Sequence, residues 1–297
     1  MSASTAAHIG IVVTDAYSDE DPDYDTPLLL AALRERGAVA EAVVWHRADD
    51  LARFDLLVLR SPWDYPDRLP EFIAWLDAAE SATRIVNSPA IVRWNLDKRY
   101  LQDLAAAGIR VVPTEYCADV AHARATLAAH GNERIVVKPA MSAAARDTGL
   151  FDAADPAALT LAERILAAGG IAMVQPEIPE LTAGAEKGLY TAEGHFTHAI
   201  AKGALLSHGG GFVGGVYVEH PVEVDATAAE RAFADEVLAA VSAVTGQPTP
   251  LYARVDTVDS AAHGLVVLEV ELIEPSLNLH VAPDAIAPVA DAILRAV

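Results

Sequence analysis

Between Leu251 and Pro275 the chain reads LYARVDTVDSAAHGLVVLEVELIEP. Two apolar runs are joined by a polar turn, and Arg254, Asp256, Glu269, Glu271 and Glu274 are set into them. A charge buried without a partner is costly, so either these strands face water or something binds between them. Glu269 and Glu271 stand two residues apart and project from one face of a strand, with Leu268, Val270 and Leu272 facing the core behind them. Asp256 falls on the neighbouring antiparallel strand, joined through the DSAAHG turn, so three carboxylates converge. Three cations share the pattern: Lys138 in IVVKP, Lys202 in HAIAK and Arg254 in LYARVD, each among apolar neighbours. One such lysine is ordinarily a strand-end residue that snorkels to water. Three cations beside acidic strands are reconciled by anionic oxygens and a divalent metal. The lysines would hold phosphate as point charges and the arginine as a fork. Asp256, Glu269 and Glu271 would supply the oxygen ligands that Mg²⁺ takes and often shares with nucleotide phosphates.

The elements that position these residues alternate between strand and helix. HIGIVVTDA reads as a strand, and DTPLLLAALRERG as a helix with a proline near its start and Gly37 at its end. VAEAVVWH and FDLLVLRSPWDY are the next strands, LPEFIAWLDAAES has apolar positions at helical spacing, and RIVNSP is a short strand stopped by Pro89. Such alternation implies a parallel sheet with helices on its faces. Ligands then sit beyond the carboxyl ends of the strands, where Asp15, Tyr17, Arg60, Trp63, Asp64 and Tyr65 fall. NLDKRYLQDLAAAG reads as a helix capped by Asn95 or Asp97 and ended by Gly108. RIVVKPAMSAAARDTG is a strand that breaks at Pro139 into a loop of small residues, and IAMVQPEIPEL is a strand leaving through two prolines. GLYTAEGHFTHAIAKGALL reads as a hairpin turning at Glu193-Gly194. A long amphipathic helix, DATAAERAFADEVLAAVSAVTG, precedes the two acidic strands, and a final helix closes the chain. The fold class is α/β followed by α+β.

Composition narrows the rest. A length of 297 residues suggests about two domains. With 42 acidic and 21 basic residues the net charge is −21, so the surface repels nucleic acid rather than binding it. Cys117 is the single cysteine, which excludes an intrachain disulfide or a thiolate metal cluster and is compatible with a reducing cytosol. The N-terminus lacks the basic start of a signal peptide, and no apolar run reaches the length of a membrane span; a cytoplasmic location is expected. GGGFVG matches a dinucleotide-loop pattern, but a strand-like stretch containing Pro221 follows where a helix is needed. It reads instead as a flexible glycine loop near a ligand. His195 and His198 have a spacing that suits metal on a helix, but on a strand they face opposite sides.

Taken in order, NLDK, VVKP, SAAARDT, VQPEIPEL, HAIAK, YARVD and EVELIEPS resemble the ATP-grasp ligases along nearly the whole chain. SPWDY, VRWNLDKRYL and ELIEPSL are similar to the branch that includes the cyclo-ligase of D-cycloserine biosynthesis, which acts on O-ureido-D-serine. The resemblance implies an N-terminal parallel-sheet domain (residues 1–95), a central ATP lid (96–180) and a C-terminal antiparallel-sheet domain (181–297). It implies that Lys98 and Lys138 touch ATP phosphates and that the backbone at Gln175, Glu177 and Ile178 reads adenine. Glu180 or Glu186 would accept from the ribose. Lys202 and Arg254 would be catalytic cations on the transferred phosphoryl group, and Asp256, Glu269 and Glu271 the Mg²⁺ ligands. The family usually has Glu-x-Asn where this chain has Glu269-Val-Glu271, which makes Glu274 a credible substitute ligand. The loop SAAARDT is poorer in glycine than is usual, GAEKGLY departs from the usual Gly-Glu-x-Ser, and Asn278 is unexpected after EPSL.

The implied reaction is ATP-dependent formation of a carbon–nitrogen bond through an acyl phosphate. The attacking nitrogen belongs either to the same molecule, as in ring closure, or to a second amino acid or peptide. A nucleotide-binding protein without catalysis is the third reading. Arg60, Trp63, Asp64, Tyr65 and Ser276 are expected to shape the site of a small amino-acid-like substrate, and MSAAARDTG is the expected lid. A homodimer is the assembly that base rates favour.

Overall fold

The structure, a computed structural model, describes residues 6–17, 22–142, 146–204, 206–211 and 220–297. The lid candidates Ala143, Ala144 and Ala145, and Phe212 to Gly214 of GGGFVG, lie outside them. The first unit runs β1 (His8–Val13), α1 (Asp25–Glu35), β2 (Val39–Val44), β3 (Leu56–Ser61), α2 (Leu69–Ala82), β4 (Ile85–Val86) and α3 (Pro89–Asn95). Its sheet is parallel, in the order β2-β1-β3-β4. The near-continuous apolar strands β1 and β3 are buried on both faces, as parallel sheets require.

Helix α4 (Tyr100–Ala106) leads to β5 (Glu115–Cys117), α5 (Val120–His130), β6 (Arg134–Pro139), β7 (Gly149–Asp152), α6 (Pro156–Ala167), β8 (Ala172–Pro176) and α7 (Pro179–Thr182). These form an antiparallel sheet, β5-β8-β6-β7, with α5 and α6 packed over the core of Val137, Phe151, Leu161 and Val174. The last unit comprises β9 (Lys187–Ala192), β10 (His195–Ala201), β11 (Val222–Val224), α8 (Ala228–Thr245), β12 (Tyr252–Ser260), β13 (Gly264–Glu271) and α9 (Ile286–Arg295). Its sheet order is β11-β10-β9-β12-β13. The β9–β10 hairpin turns at Glu193 and Gly194, both at positive φ (51° and 75°), which matches the strand twist. Helix α8 begins at a capping box in which Thr227 and Glu230 exchange bonds.

Two local expectations change. Pro89 does stop β4, but it also opens α3 at the first helical position, capped by Ser88. Asn95 caps nothing: its amide bonds the backbone of Val270 and Leu272. Asp97 accepts from Arg99 N, just before α4. His195 and His198 sit either side of a bulge in β10. His198 is buried, stacked on Tyr190 with ring centroids 4.2 Å apart, and hydrogen-bonded to Leu277 O. Burial lowers its pKa to about 4, so it is a neutral core imidazole.

The edge strand β13 presents unpaired backbone groups, which side chains from the first hundred residues satisfy. Tyr100 Oη accepts from Val270 N and donates to Val270 O, Asn95 takes Leu272 N, and Asn87 donates to Leu272 O. Such covering closes an edge that would otherwise pair promiscuously. Helix α9 returns to the N-terminal sheet, where Val289 and Ile293 join Leu29 and Leu33 of α1 in one core. Among the described residues no helix is long and apolar enough to cross a membrane.

Candidate active site

The three sheets meet around a cavity of about 720 Å³. The register of β12 on β13 sets its charged wall: Asp256 lies opposite Glu269 and Arg254 opposite Glu271, with a bulge just after Asp256. Two successive cross-strand pairs on one face therefore bring four charges together. Asp256, 2% exposed, accepts from Arg254 Nε at 2.8 Å, from Arg254 Nη2 at 3.0 Å and from Lys202 Nζ at 2.7 Å. Arg254 Nη2 also donates to Glu271. Lys202 reaches Glu186 at 3.1 Å, and Lys98 reaches Glu269 at 3.0 Å and Ser142 O at 2.8 Å.

Electrostatics divides these acids. Burial pushes Asp256 upward, but Arg254 and Lys202 prevail and hold its carboxyl below the ordinary range. Glu269 is held low in the same way by Lys98 and Lys138. Glu271 behaves oppositely although Arg254 touches it: burial, with Asp256 and Glu269 nearby, pushes it up to about 8. Glu274 is pushed up to about 7 by burial, although it accepts a hydrogen bond from Tyr65. Lys98 is raised, since Glu269 outweighs the burial that would lower it. Lys138, projecting from β6, is lowered by burial and has no ion pair among the described residues. A buried ammonium without an ion pair is costly, and a bound anion would offset that cost.

Among the described residues no three His, Cys, Asp or Glu side chains are grouped to hold a metal ion. Asp256, Glu269 and Glu271 share a face, but each closes on a cation instead of on one point, because a buried carboxylate takes the nearest positive charge. Their chemistry, all oxygen and on one wall of the cavity beside Lys138, fits Mg²⁺ with phosphate. A carboxylate ligates Mg²⁺ in its ionised form, so holding the metal through Glu271 would displace the proton that burial favours there near neutrality. Binding of Mg²⁺ with nucleotide is therefore expected to release protons at pH 7 and to tighten as the pH rises from 6 through about 8. Calorimetry in buffers of different ionisation enthalpy checks this; an enthalpy that does not change with buffer would refute it.

The end of the cavity where adenine was expected is apolar. Ile178, Val112 and Leu268 line it, and Ile178 is packed with Val112, Val258 and Val266. Gln175 is fixed by a bond to Thr114 Oγ1 at 2.8 Å, and the Glu177 backbone N–H is held by Arg134 O at 2.9 Å. Glu177's carboxylate turns to Arg134 and Thr182. The two ribose alternatives separate: Glu186 lines the cavity, whereas Glu180 accepts from Ala261 N at 3.0 Å and is held low by that bond, capping the β12–β13 turn.

At the opposite end Trp63, Tyr65 and Ser276 line the cavity. Trp63 Nε1 donates to Glu274 O at 3.1 Å, and Tyr65 also packs on Phe72 at 4.9 Å. Two expected residues are placed elsewhere. Asp64 turns back to accept from Trp45 Nε1 and Arg68 Nη1, at 2.8 and 3.0 Å. Arg60, 1% exposed, lies behind the wall and donates to Pro275 O at 2.5 Å. A carboxylate beside an indole N–H and an arginine is consumed by them, and strand-end position alone does not reveal that.

Gly188 was not singled out. On β9 it lies opposite Asp256, and a Cβ there would stand 3.1 Å from Arg254 Cδ, 3.2 Å from Asp256 Oδ1 and 3.2 Å from Tyr190 Cε2. Glycine within an apolar strand is the signal for such a close approach. Gly188→Ala is expected to lower kcat about tenfold by displacing the two charges, with ADP affinity retained. Steady-state ADP release and ADP titration test it, and turnover within twofold of wild type would count against it.

A family model described as "D-cycloserine synthetase DcsG, N-terminal domain" matches residues 9–87. The cycloserine biosynthesis protein DcsG of Streptomyces lavendulae is 39% identical over 282 residues, covering 92% of this chain and 93% of that protein. The crystal structure of D-cycloserine synthetase DcsG superposes with a TM-score of 0.89 at 35% identity, over 98% of this chain and 99% of the other. The ATP-grasp ligase PsnB, in complex with a phosphomimetic variant of its minimal precursor, Mg and ADP, shares the fold (TM-score 0.62, 18% identity, 97% of this chain and 98% of that one). The fold is thus ATP-grasp, with a parallel N-terminal sheet and two antiparallel sheets after it. The chain belongs to the DcsG family of ATP-grasp ligases, enzymes that form carbon–nitrogen bonds with ATP and Mg²⁺.

Proposed function

We propose that this enzyme closes a ring within one small amino-acid-like molecule, O-ureido-D-serine being the substrate to try first, in keeping with the D-cycloserine named for its DcsG relatives. A carboxylate is a poor electrophile, and phosphorylation by ATP gives it a good leaving group. Phosphoryl transfer needs positioning and positive charge more than covalent help. Lys202 and Arg254 supply that charge at the reacting end, Lys98 and Lys138 hold the phosphates, and the backbone at Gln175, Glu177 and Ile178 takes adenine, with Glu186 toward the ribose. Asp256, Glu269 and Glu271 would hold Mg²⁺, which neutralises phosphate charge when bound. Trp63, Tyr65 and Ser276 confine the substrate so that nitrogen and activated carboxyl stay close.

The supporting observation is the Arg254–Glu271 and Asp256–Glu269 pairing on the wall of the cavity that also holds Lys138. We further infer that residues 1–95, 96–180 and 181–297 act as three units, with α9 returned to the first. The central unit then closes over ATP to keep water from the acyl phosphate. A cytoplasmic homodimer is the proposed assembly, which sedimentation tests. For the function, purified protein is incubated with ATP, Mg²⁺ and O-ureido-D-serine, and ADP and the ring product are followed. Turnover with that one substrate supports cyclisation. ADP release that requires a second amine would establish intermolecular ligation instead, and nucleotide binding without ADP release across an amino-acid panel would establish a non-catalytic role.

A further inference from the structure

We propose that Asp25 is a positioning residue for the acid substrate: paired with Arg60, it sets the shape of the tail 275–279 that brings Ser276 and Asn278 to the cleft. The proposal rests on the reading of that end of the cavity as the substrate end. Asp25 stands in the first turn of α1, yet it does not cap its own helix. Asp23 Oδ1 does that, accepting from Asp25 N and Thr26 N at 3.0 and 2.9 Å. Asp25 is left to reach across to residues some 250 positions later. Its Oδ2 accepts from Leu277 N at 2.5 Å and Asn278 N at 3.2 Å, and its Oδ1 from Leu279 N at 2.8 Å.

Three successive amides converge on one carboxylate because Asn278 takes a left-handed conformation, φ 54°; such a concave run of N–H groups is an anion nest. Here the anion is a side chain that is 6% exposed and itself lines the cavity. The charge is balanced from behind by Arg60 Nη2 at 3.5 Å from Oδ2, and the same nitrogen donates to Pro275 O. One buried ion pair therefore grips the tail at both ends. His198 holds Leu277 O at 2.7 Å, and Tyr190 Oη accepts from Asn278 Nδ2 at 2.9 Å. Between these anchors Ser276 faces the cavity. A tail fixed at these points gives the substrate fixed contacts and leaves the ATP end untouched.

Asp25→Asn keeps the size of the side chain but loses the charge and turns a donor toward N–H groups. Arg60→Lys keeps the charge but loses the fork, and serves if the first variant does not fold. Either is expected to raise the KM of the amino-acid substrate about tenfold or more, with the KM of ATP and the affinity for ADP within twofold of wild type. Hydrogen exchange at amides 277–279 is expected to quicken about tenfold while β12 and β13 keep their protection. An unchanged substrate KM, or ADP affinity falling in parallel, would overturn the assignment. Exchange is read without substrate: if wild type turned over no acid, the function proposed above would fail, while unaltered exchange at 277–279 would still refute the role of Asp25 and quickened exchange would support it.

Discussion

Arg254→Lys is expected to lower kcat by about 10²–10³ while leaving the enzyme folded. Arg254 holds Asp256 through two nitrogens and Glu271 through one of the same pair, so its planar fork spans two strands. A lysine at this position is a single point charge and cannot bridge both acids; Lys202 already supplies a point charge to Asp256. The variant keeps the site's net charge, so the expected loss falls on transition-state stabilisation, with ground-state binding of nucleotide largely preserved. Arg254→Ala separates the two contributions. It takes from ionised Asp256 both bonds of the fork, and removing one partner from a buried ionic network costs about 3–5 kcal/mol of stability. ADP release at saturating substrates, with urea unfolding of both variants, checks the pair of expectations. A lysine variant within threefold of wild-type kcat would show that the fork is not used on the reacting phosphoryl group.

Lys138→Met should move stability and function in opposite directions. Burial and the nearby Lys98 lower the Lys138 pKa, and the attraction of Glu269 does not offset them. A lysine lowered in the folded state makes folding less favourable while it is charged, and the penalty fades as the pH rises from its folded toward its unfolded pKa. Removing the ammonium is therefore expected to raise the melting temperature of the nucleotide-free protein at pH 7, with the gain shrinking at alkaline pH. The gain amounts to ~2–4 °C for each kcal/mol recovered. Affinity for ATP is expected to fall about 10–100-fold, the worth of one hydrogen bond to a charged group. Thermal melts at pH 7 and pH 10, together with nucleotide titration, decide it. A destabilised variant would mean that Lys138 is held by an ion pair in the folded protein after all.

What the chain determines by itself is the local periodicity. Alternation in EVELIEP puts Glu269 and Glu271 on one face whatever else happens, because successive Cβ atoms point to opposite sides of a strand. The same rule puts Arg254 and Asp256 together on the partner strand, and the intervening turn makes the two strands antiparallel neighbours. The strand–helix alternation of the first hundred residues dictates the parallel sheet, and Glu193-Gly194 the hairpin turn. None of this requires knowledge of distant residues. The tertiary structure decides which partner each buried polar group takes. Asp25 reads as a helix start yet grips amides at 277–279, Asn95 reads as a cap yet holds β13, and α9 joins the sheet that begins the chain. Arg60, Asp64 and Glu180 stand where a ligand was expected, but a backbone carbonyl engages the first, an indole the second and a turn amide the third. The need to satisfy a buried donor or acceptor is general, but its partner depends on which atoms packing brings within about 3 Å, and that is settled by the assembled core, not by spacing along the chain.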